Sequence, residues 1–195
     1  MSIPERKHIH APGQIINYDD FLESIPKEDS VIIFGGTFDP IHEGHIQDIR
    51  KLLDIAKVII IAPTSQNPWK EFSPTSLDNR LEMIRMVLHF EKIPFSEKVT
   101  DSNLILSSVP YVYACNLLFE IRQTRESKAP GEYYYWAIGE DLIKSAINWK
   151  NWKSNGVPFV SLPILDGISA TKVRERNIKP HPAIADYIKC HNFYK

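Results

Sequence analysis

Two short apolar runs enclose a helical pattern in the first third of the chain. The first run, Val31 to Phe34, ends at the pair Gly35-Gly36, and the second spans Val58 to Ala62. Between them, apolar residues recur at helical spacing from Ile46 to Leu53. Strand, helix and strand in this order predict a βαβ unit, in which the two strands are parallel and the crossover is right-handed.

The rest of the chain continues the alternation. Helices are predicted over residues 79–90, 111–122 and 183–191, and strands over residues 133–138 and 157–162. This pattern is typical of a Rossmann-like α/β fold with a doubly wound, mostly parallel sheet and helices on both faces. We expect residues 30–195 to form a single domain. Residues 1–29 read as an N-terminal extension, of which Phe21 and Leu22 could dock on the domain.

Composition and charge narrow the class of protein. The formal net charge is −1, so the chain has no overall basic field of the kind that binds nucleic acid non-specifically. No apolar run reaches the roughly 18 residues that a membrane-spanning helix requires. The N-terminal residues lack the continuous apolar segment of a secretory signal, and the two cysteines, Cys115 and Cys190, are far apart. We therefore expect reduced thiols and a cytoplasmic location.

The segment from Gly35 to His45 carries the first functional pattern. In an open α/β sheet, ligands bind where the chain leaves the carboxyl end of a strand, which is where Gly35-Gly36 lies. Glycines allow a phosphate to approach backbone N–H groups, and the start of the following helix favours an anion. His42 and His45 are three residues apart and can share one face of that helix. Either pattern alone also fits an ordinary turn or a surface histidine, but together they predict a phosphate site.

A second pattern lies near the C-terminus, where residues 168–174 read Ile-Ser-Ala-Thr-Lys-Val-Arg. Ser169 and Thr171 can cap a helix start and donate hydrogen bonds, and the Arg174 guanidinium can bind two phosphate oxygens at once. As a lone motif it would equally fit a capped helix without a ligand.

Both patterns carry a family resemblance. Residues 35–45 resemble the signature of the nucleotidylyltransferase superfamily, which has a His-x-Gly-His element after the first strand, and residues 168–174 are similar to its Ile-Ser-x-Thr-x-x-Arg element. From Val31 onward the chain resembles the bacterial nicotinate-nucleotide adenylyltransferases. Gly139-Glu140-Asp141 with Trp149 is similar to their Gly-x-Asp and downstream Trp, and the closing segment with Asn192-Phe193-Tyr194 is similar to their last helix.

The resemblance implies an activity. The family transfers AMP from ATP to nicotinate mononucleotide and forms nicotinate adenine dinucleotide and pyrophosphate in NAD biosynthesis. Mg²⁺ is expected to arrive with the ATP phosphates and not at a metal site of the protein. Asp39 could contact that ion through water or cap a turn, and both readings stay open. The sequence leaves a homo-oligomer open as well.

The resemblance, together with the chemistry of the side chains, also implies roles for individual residues. The predicted catalytic residues are His42, His45, Lys70 and Arg174. The predicted ATP site comprises Gly35, Gly36, Thr37, Phe38, His42, His45, Gly139, Asp141, Ile168, Ser169, Thr171 and Arg174. The predicted mononucleotide site comprises Thr37, Lys70, Tyr111 and Trp149.

The chain departs from the family pattern on the acceptor side. Trp69 replaces the histidine of the family's Pro-His-Lys, and Val112, Ala114 and Cys115 stand where the family has two threonines and an aspartate. These differences leave open nicotinamide mononucleotide or another phosphate as the acceptor. The alternative from another class is a binding module that senses ATP or NAD without catalysis, and a turnover assay distinguishes it from an enzyme.

Overall fold

The computed structural model describes most of the chain: residues 11, 13–24, 27–66, 75–98, 102–126, 131–146, 148–149, 152, 156–163 and 167–195. The predicted site residue Lys70 and the departure at Trp69 lie outside the described residues.

The described residues form a six-stranded sheet in which every neighbouring pair is parallel. Its strands are β1 (Ile15–Asn17), β2 (Ser30–Gly36), β3 (Val58–Pro63), β4 (Leu104–Leu106), β5 (Tyr133–Gly139) and β6 (Phe159–Leu162). They lie in the order β1-β6-β5-β2-β3-β4, so β2 and β5 are central. Because all strands run the same way, their carboxyl ends meet at one edge of the sheet.

Helices cover both faces of this sheet. They are α1 (Tyr18–Ser24), α2 (Glu43–Ile55), α3 (Leu77–Phe90), α4 (Ala114–Glu126), α5 (Ile143–Ala146), α6 (Ala170–Arg174) and α7 (Pro182–Cys190). Side chains alternate along β2: Ile32 packs with the residues of α1, α2, α3 and α7, and Ile33 packs with those of α4. The two hydrophobic clusters lie on opposite faces, and the doubly wound α/β fold predicted from the sequence is confirmed.

The N-terminal segment contributes a strand and a helix to the fold. Strand β1 pairs with β6 through Ile15 and Phe159, and Ile16 is buried. The Phe21 side chain of α1 is only 1% exposed and meets Tyr135 edge-on, with ring centroids 4.9 Å apart. Residues 15–24 are therefore built into the sheet and its core, where Phe21 docks as the sequence allowed and Leu22 stays exposed.

The other predicted elements shift by a few residues. The helix expected from residue 111 begins at Ala114, and the strand expected from residue 157 begins at Phe159. Strand β4, which the sequence analysis did not predict, pairs with β3 from Leu104 to Leu106. Among the described helices, none combines the length and the apolar character needed to cross a membrane.

Replacing Phe21 by Ala tests whether the N-terminal segment belongs to the folded core. Removal of a fully buried phenylalanine side chain leaves a cavity, so we expect the free energy of unfolding to fall by about 3–5 kcal/mol. The matched control is Leu22→Ala, because Leu22 is the adjacent residue and is 51% exposed. Urea unfolding followed by tryptophan fluorescence measures both, and equal stabilities of the two variants would show that α1 does not pack as described.

Candidate active site

A cavity of about 420 Å³ opens at the carboxyl ends of β2 and β5. Most of the residues that the sequence pointed to lie around it. Its walls include Gly35, Gly36, Thr37, Phe38, His42, His45, Tyr111, Gly139, Asp141, Trp149, Ile168, Ser169 and Arg174. Segments that are more than a hundred residues apart in the chain thus meet at one edge of the sheet.

The floor of the cavity depends on a close approach at Gly35. A Cβ atom at this position would lie 2.2 Å from Cζ2 of Trp136, which belongs to the neighbouring strand β5 and is buried. No side chain larger than hydrogen can occupy that place without moving the indole ring. The first glycine of the pair is therefore required for packing of the strand, in addition to any contact with a ligand.

His42 and His45 lie face to face at the start of α2. Their ring centroids are 3.7 Å apart with an angle of 28° between the planes. The backbone N–H of His42 donates to Nδ1 of His45 at 3.2 Å. Because Nδ1 accepts this bond, the neutral His45 ring carries its proton on Nε2, which is left as a hydrogen-bond donor.

Burial makes both imidazoles harder to charge. It lowers the pKa of His42 to about 4. Burial and, to a lesser extent, the nearby His42 hold the pKa of His45 well below its ordinary value. At neutral pH the free site therefore presents two neutral rings that donate N–H groups, and an anion that binds between them would favour their protonation.

The turn between β2 and α2 is held by buried contacts. Phe38 has a φ of +50° and its ring lies 4.8 Å from that of His45. The Asp39 carboxylate is buried and accepts a hydrogen bond of 2.6 Å from the hydroxyl of Tyr194, near the C-terminus of the chain. The Asp39 carbonyl accepts from Nη1 of Arg174 at 2.5 Å. Of the two readings of Asp39, these contacts favour the structural one, in which it organises the turn.

The same contacts orient Arg174. Its Nη2 donates to the hydroxyl of Thr171 at 2.9 Å, one helical turn earlier in α6. The Ser169 hydroxyl accepts from the backbone N–H of Lys172 and so caps the start of α6. Ser169 acts as the cap that the sequence suggested, and Thr171 positions the guanidinium from an exposed place beside it.

The opposite wall is formed by the end of β5 and the segment after it. A Cβ atom on Gly139 would lie 2.6 Å from Oδ1 of Asp141, so glycine allows this carboxylate to fold back over the strand end. The half-buried Trp149 meets Trp136 and Trp152 edge-on, with centroids 6.0 Å and 5.5 Å apart. Trp149 is thus part of the aromatic core and of the cavity wall at once.

Tyr111 lines the cavity from the segment just before α4. Its hydroxyl donates to the carbonyl of Ala62 at 2.8 Å, and its own carbonyl accepts from the Ser65 hydroxyl at 2.7 Å. Burial raises the pKa of Tyr111, so the phenol stays neutral. The residue lines the cavity as predicted, with its hydroxyl engaged by β3.

Arg80 is the principal residue that the sequence analysis missed. It is 1% exposed and lies on the buried face of α3. Its Nη1 donates to the carbonyls of Thr37 at 2.7 Å and Thr64 at 2.8 Å. Nε donates to the carbonyl of Thr75 at 3.1 Å, and Nη2 to that of Ser65 at 3.2 Å. One guanidinium therefore ties together the loops after β2 and β3 and the entry of α3.

A signal for Arg80 was available. Position 80 precedes Met83, Ile84 and Val87 by three, four and seven residues, which places a charged residue on the apolar face of the helix. A buried arginine needs acceptors, and here these are backbone carbonyls.

Among the described residues, His, Cys, Asp and Glu form no group of three or more that could hold a metal ion.

Replacing Arg80 by Leu is expected to lower the free energy of unfolding by at least about 3 kcal/mol, since four carbonyls lose their donor and each buried unsatisfied group costs about 1–3 kcal/mol. The control is Arg85→Leu on the same helix, which removes surface ion pairs with Glu82 and Glu97 and should cost at most about 1 kcal/mol. Urea denaturation measures both. A loss for Arg80→Leu no larger than for Arg85→Leu would contradict the described clamp.

Comparison with known proteins agrees with this architecture. The family model described as Cytidylyltransferase-like matches residues 33–176. A probable nicotinate-nucleotide adenylyltransferase of Methylacidiphilum infernorum is 30% identical over 196 residues, with 83% of this chain and 90% of that protein covered. The probable enzyme of the same name from Pelagibacter ubique is 33% identical over 134 residues, and the match spans 66% of each chain.

A solved structure gives the fold independently. Nicotinic acid mononucleotide adenylyltransferase of Plasmodium falciparum, solved in complex with NaAD, superposes with a TM-score of 0.62 at 20% identity. The superposition covers 85% of this chain and 97% of the other, so the two share the whole architecture. The chain belongs to the cytidylyltransferase-like family of nucleotidyltransferases and, within it, to the nicotinate-nucleotide adenylyltransferases.

Proposed function

We propose that this protein transfers AMP from ATP to nicotinate mononucleotide and releases pyrophosphate and nicotinate adenine dinucleotide, a step of NAD biosynthesis. The observation that carries the proposal is the convergence of the stacked pair His42 and His45 with Arg174 at the end of β2, inside one cavity. The names of the homologous enzymes supply the acceptor.

The phosphates of ATP bind at the start of α2 in this scheme. The positive end of the helix dipole favours an anion there, and Gly36 leaves the approach free of a side chain. The Nε2 proton of His45 and a ring proton of His42 contact the α- and β-phosphates. Arg174, already oriented by Asp39 and Thr171, adds a permanent positive charge.

The reaction is a single displacement. An oxygen of the acceptor 5′-phosphate attacks the α-phosphorus of ATP, a new P–O bond forms, and the bond from the α-phosphorus to the bridging oxygen breaks as pyrophosphate leaves. The protein contributes position and charge stabilisation and needs no covalent intermediate. As negative charge grows on the leaving pyrophosphate, the pKa of His42 and His45 rises and proton donation to it becomes easier.

In the proposed scheme the remaining residues bind the two nucleotides. The Asp141 carboxylate accepts from ribose hydroxyls of adenosine, beside Gly139 at the end of β5. Trp149 offers a face for the pyridine ring of the mononucleotide, Thr37 meets its phosphate, and Lys70 holds the outer phosphates. Ile168 and Phe38 close the site with apolar surface.

Magnesium enters this scheme as part of the substrate, bound to the ATP phosphates. Mg²⁺ keeps several of its waters and needs few ligands from the protein. The cytoplasmic location and a homo-oligomeric state remain predictions from the sequence.

A second acceptor has support from the cavity itself. Val112, Ala114 and Cys115, three of the four departures from the family pattern, all line the cavity. They replace hydroxyl and carboxylate groups by apolar and thiol groups on the acceptor side, which changes the hydrogen bonds available to the pyridine substituent. Nicotinamide mononucleotide is therefore the second candidate, with the same chemistry at the phosphates.

The acceptor is tested by incubating the purified protein with ATP and Mg²⁺ and either mononucleotide, and by quantifying dinucleotide and pyrophosphate. We expect a higher kcat/KM with nicotinate mononucleotide. A higher value with the amide would replace the acceptor and keep the reaction. A protein that binds ATP and forms no dinucleotide with either acceptor would refute the proposal in favour of a nucleotide sensor.

Replacing His45 by Ala should lower kcat by about a hundredfold to a thousandfold, because removal of one preorganised donor at a developing charge costs about 2.7–4 kcal/mol of barrier. His89→Ala is the control, since His89 lies on the solvent-exposed side of α3. Steady-state pyrophosphate release measures both variants after thermal melting has shown that they fold. Wild-type turnover in folded His45→Ala protein would remove His45 from the mechanism.

A further inference from the structure

The proposed mechanism leaves one half-buried carboxylate of the cavity without a role. Asp48 lines the cavity from α2, three residues after His45 and four after Gly44. This spacing puts all three residues on one face of the helix, with Asp48 a turn further from the helix start than the histidines.

One carboxylate oxygen of Asp48 has no internal partner in the described part of the chain. This oxygen, Oδ1, is buried. Burial raises the pKa of Asp48 to about 6, against a smaller opposing effect of Lys51. A buried carboxylate without a donor is costly, and a bound molecule that supplies one would recover that free energy.

The chemistry of ATP restricts which of its groups can meet this carboxylate. The phosphates carry negative charge and are repelled by Asp48, whereas the histidines and Arg174 attract them at the other end of the cavity. The donors on ATP are the ribose hydroxyls and the 6-amino group of adenine. In the proposed scheme Asp141, on the β5 side, serves the ribose.

The position of Gly44 favours the adenine base over the ribose as the partner of Asp48. This glycine lies one turn before Asp48, lines the cavity and has no side chain, so no Cβ atom stands between the cavity and the backbone of α2 there. A planar ring can therefore approach the helix closely at Gly44. Asp48 lies one turn further along the same face, where an exocyclic amine of that ring can reach its carboxylate.

We propose that Asp48 reads the base of the nucleotide donor by accepting a hydrogen bond from the 6-amino group of adenine. The assignment rests on the proposed ATP site and adds a determinant of base specificity to it. Inosine triphosphate has a carbonyl oxygen in place of the amine. That oxygen would face the carboxylate lone pairs, so the site should discriminate against it.

The test is equilibrium binding of ATP, inosine triphosphate and 2′-deoxy-ATP, each with Mg²⁺, to the full chain by titration calorimetry. A hydrogen bond to a charged group is worth about a tenfold to a hundredfold in affinity. We expect Asp48→Leu to weaken ATP binding by about that factor and inosine triphosphate binding by less, so that the wild-type preference for ATP collapses.

Two further variants control the result. Asp48→Asn keeps an acceptor oxygen and should retain part of the preference for ATP, which also keeps the test valid if Asp48→Leu fails to fold. Asp54→Leu changes an exposed aspartate of the same helix and should change neither affinity. Equal weakening of ATP and inosine triphosphate by Asp48→Leu would overturn the proposal. A loss that disappears with 2′-deoxy-ATP would also overturn it, because it would assign the carboxylate to the ribose.

The outcome separates this inference from the proposed function. If wild-type protein prefers ATP through Asp48 but forms no dinucleotide, the base-reading role holds and the proposed reaction is wrong. If it forms dinucleotide with equal kcat/KM from ATP and inosine triphosphate, the reaction holds and the role of Asp48 is wrong.

Discussion

The architecture of the cavity depends on one buried guanidinium. Arg80 donates to backbone carbonyls on the loop after β2, on the loop after β3 and at the entry of α3. Loops at the carboxyl ends of parallel strands have no ladder partners for these carbonyls, so without Arg80 each would need water or another donor. Burial lowers the pKa of Arg80 and Asp39 opposes that effect. The charge beneath the glycine loop also makes the loop more favourable for a phosphate.

A second set of contacts holds the turn between β2 and α2. Tyr194 donates to the Asp39 carboxylate, the Asp39 carbonyl accepts from Arg174, and Arg174 donates to Thr171. The end of the chain is thereby coupled to the start of the site. Such a site binds charge with donors that are already in place, and it avoids the cost of reorganising loops during the reaction. The neutral state of His42 and His45 fits this arrangement, because their charging is coupled to the arrival of the anion.

The fold could be predicted from the sequence wherever a pattern is long or chemically specific. The run from Val31 to Phe34, the glycine pair and the helix after it gave the central βαβ unit and the location of the cavity. Strands β1 and β4 could not be predicted, because each has only three residues, too few for a periodic pattern. Arg80 and Asp48 were missed for different reasons. The position of Arg80 on the apolar face of α3 is visible in the sequence, but the backbone carbonyls that it binds are brought together only by the fold. Asp48 faces a cavity that the sequence pattern does not show. The roles of Lys70 and of Trp69 stay predictions.

The central claim is a single transfer of AMP between two nucleotides held in this cavity. It is tested most directly with ATP labelled at either the α- or the γ-phosphate, in the presence of nicotinate mononucleotide and Mg²⁺. The account predicts that the α-label appears only in the dinucleotide, that the γ-label appears only in pyrophosphate, and that no label stays on the protein. Label retained on the protein, or γ-label released as inorganic phosphate without dinucleotide, would contradict it.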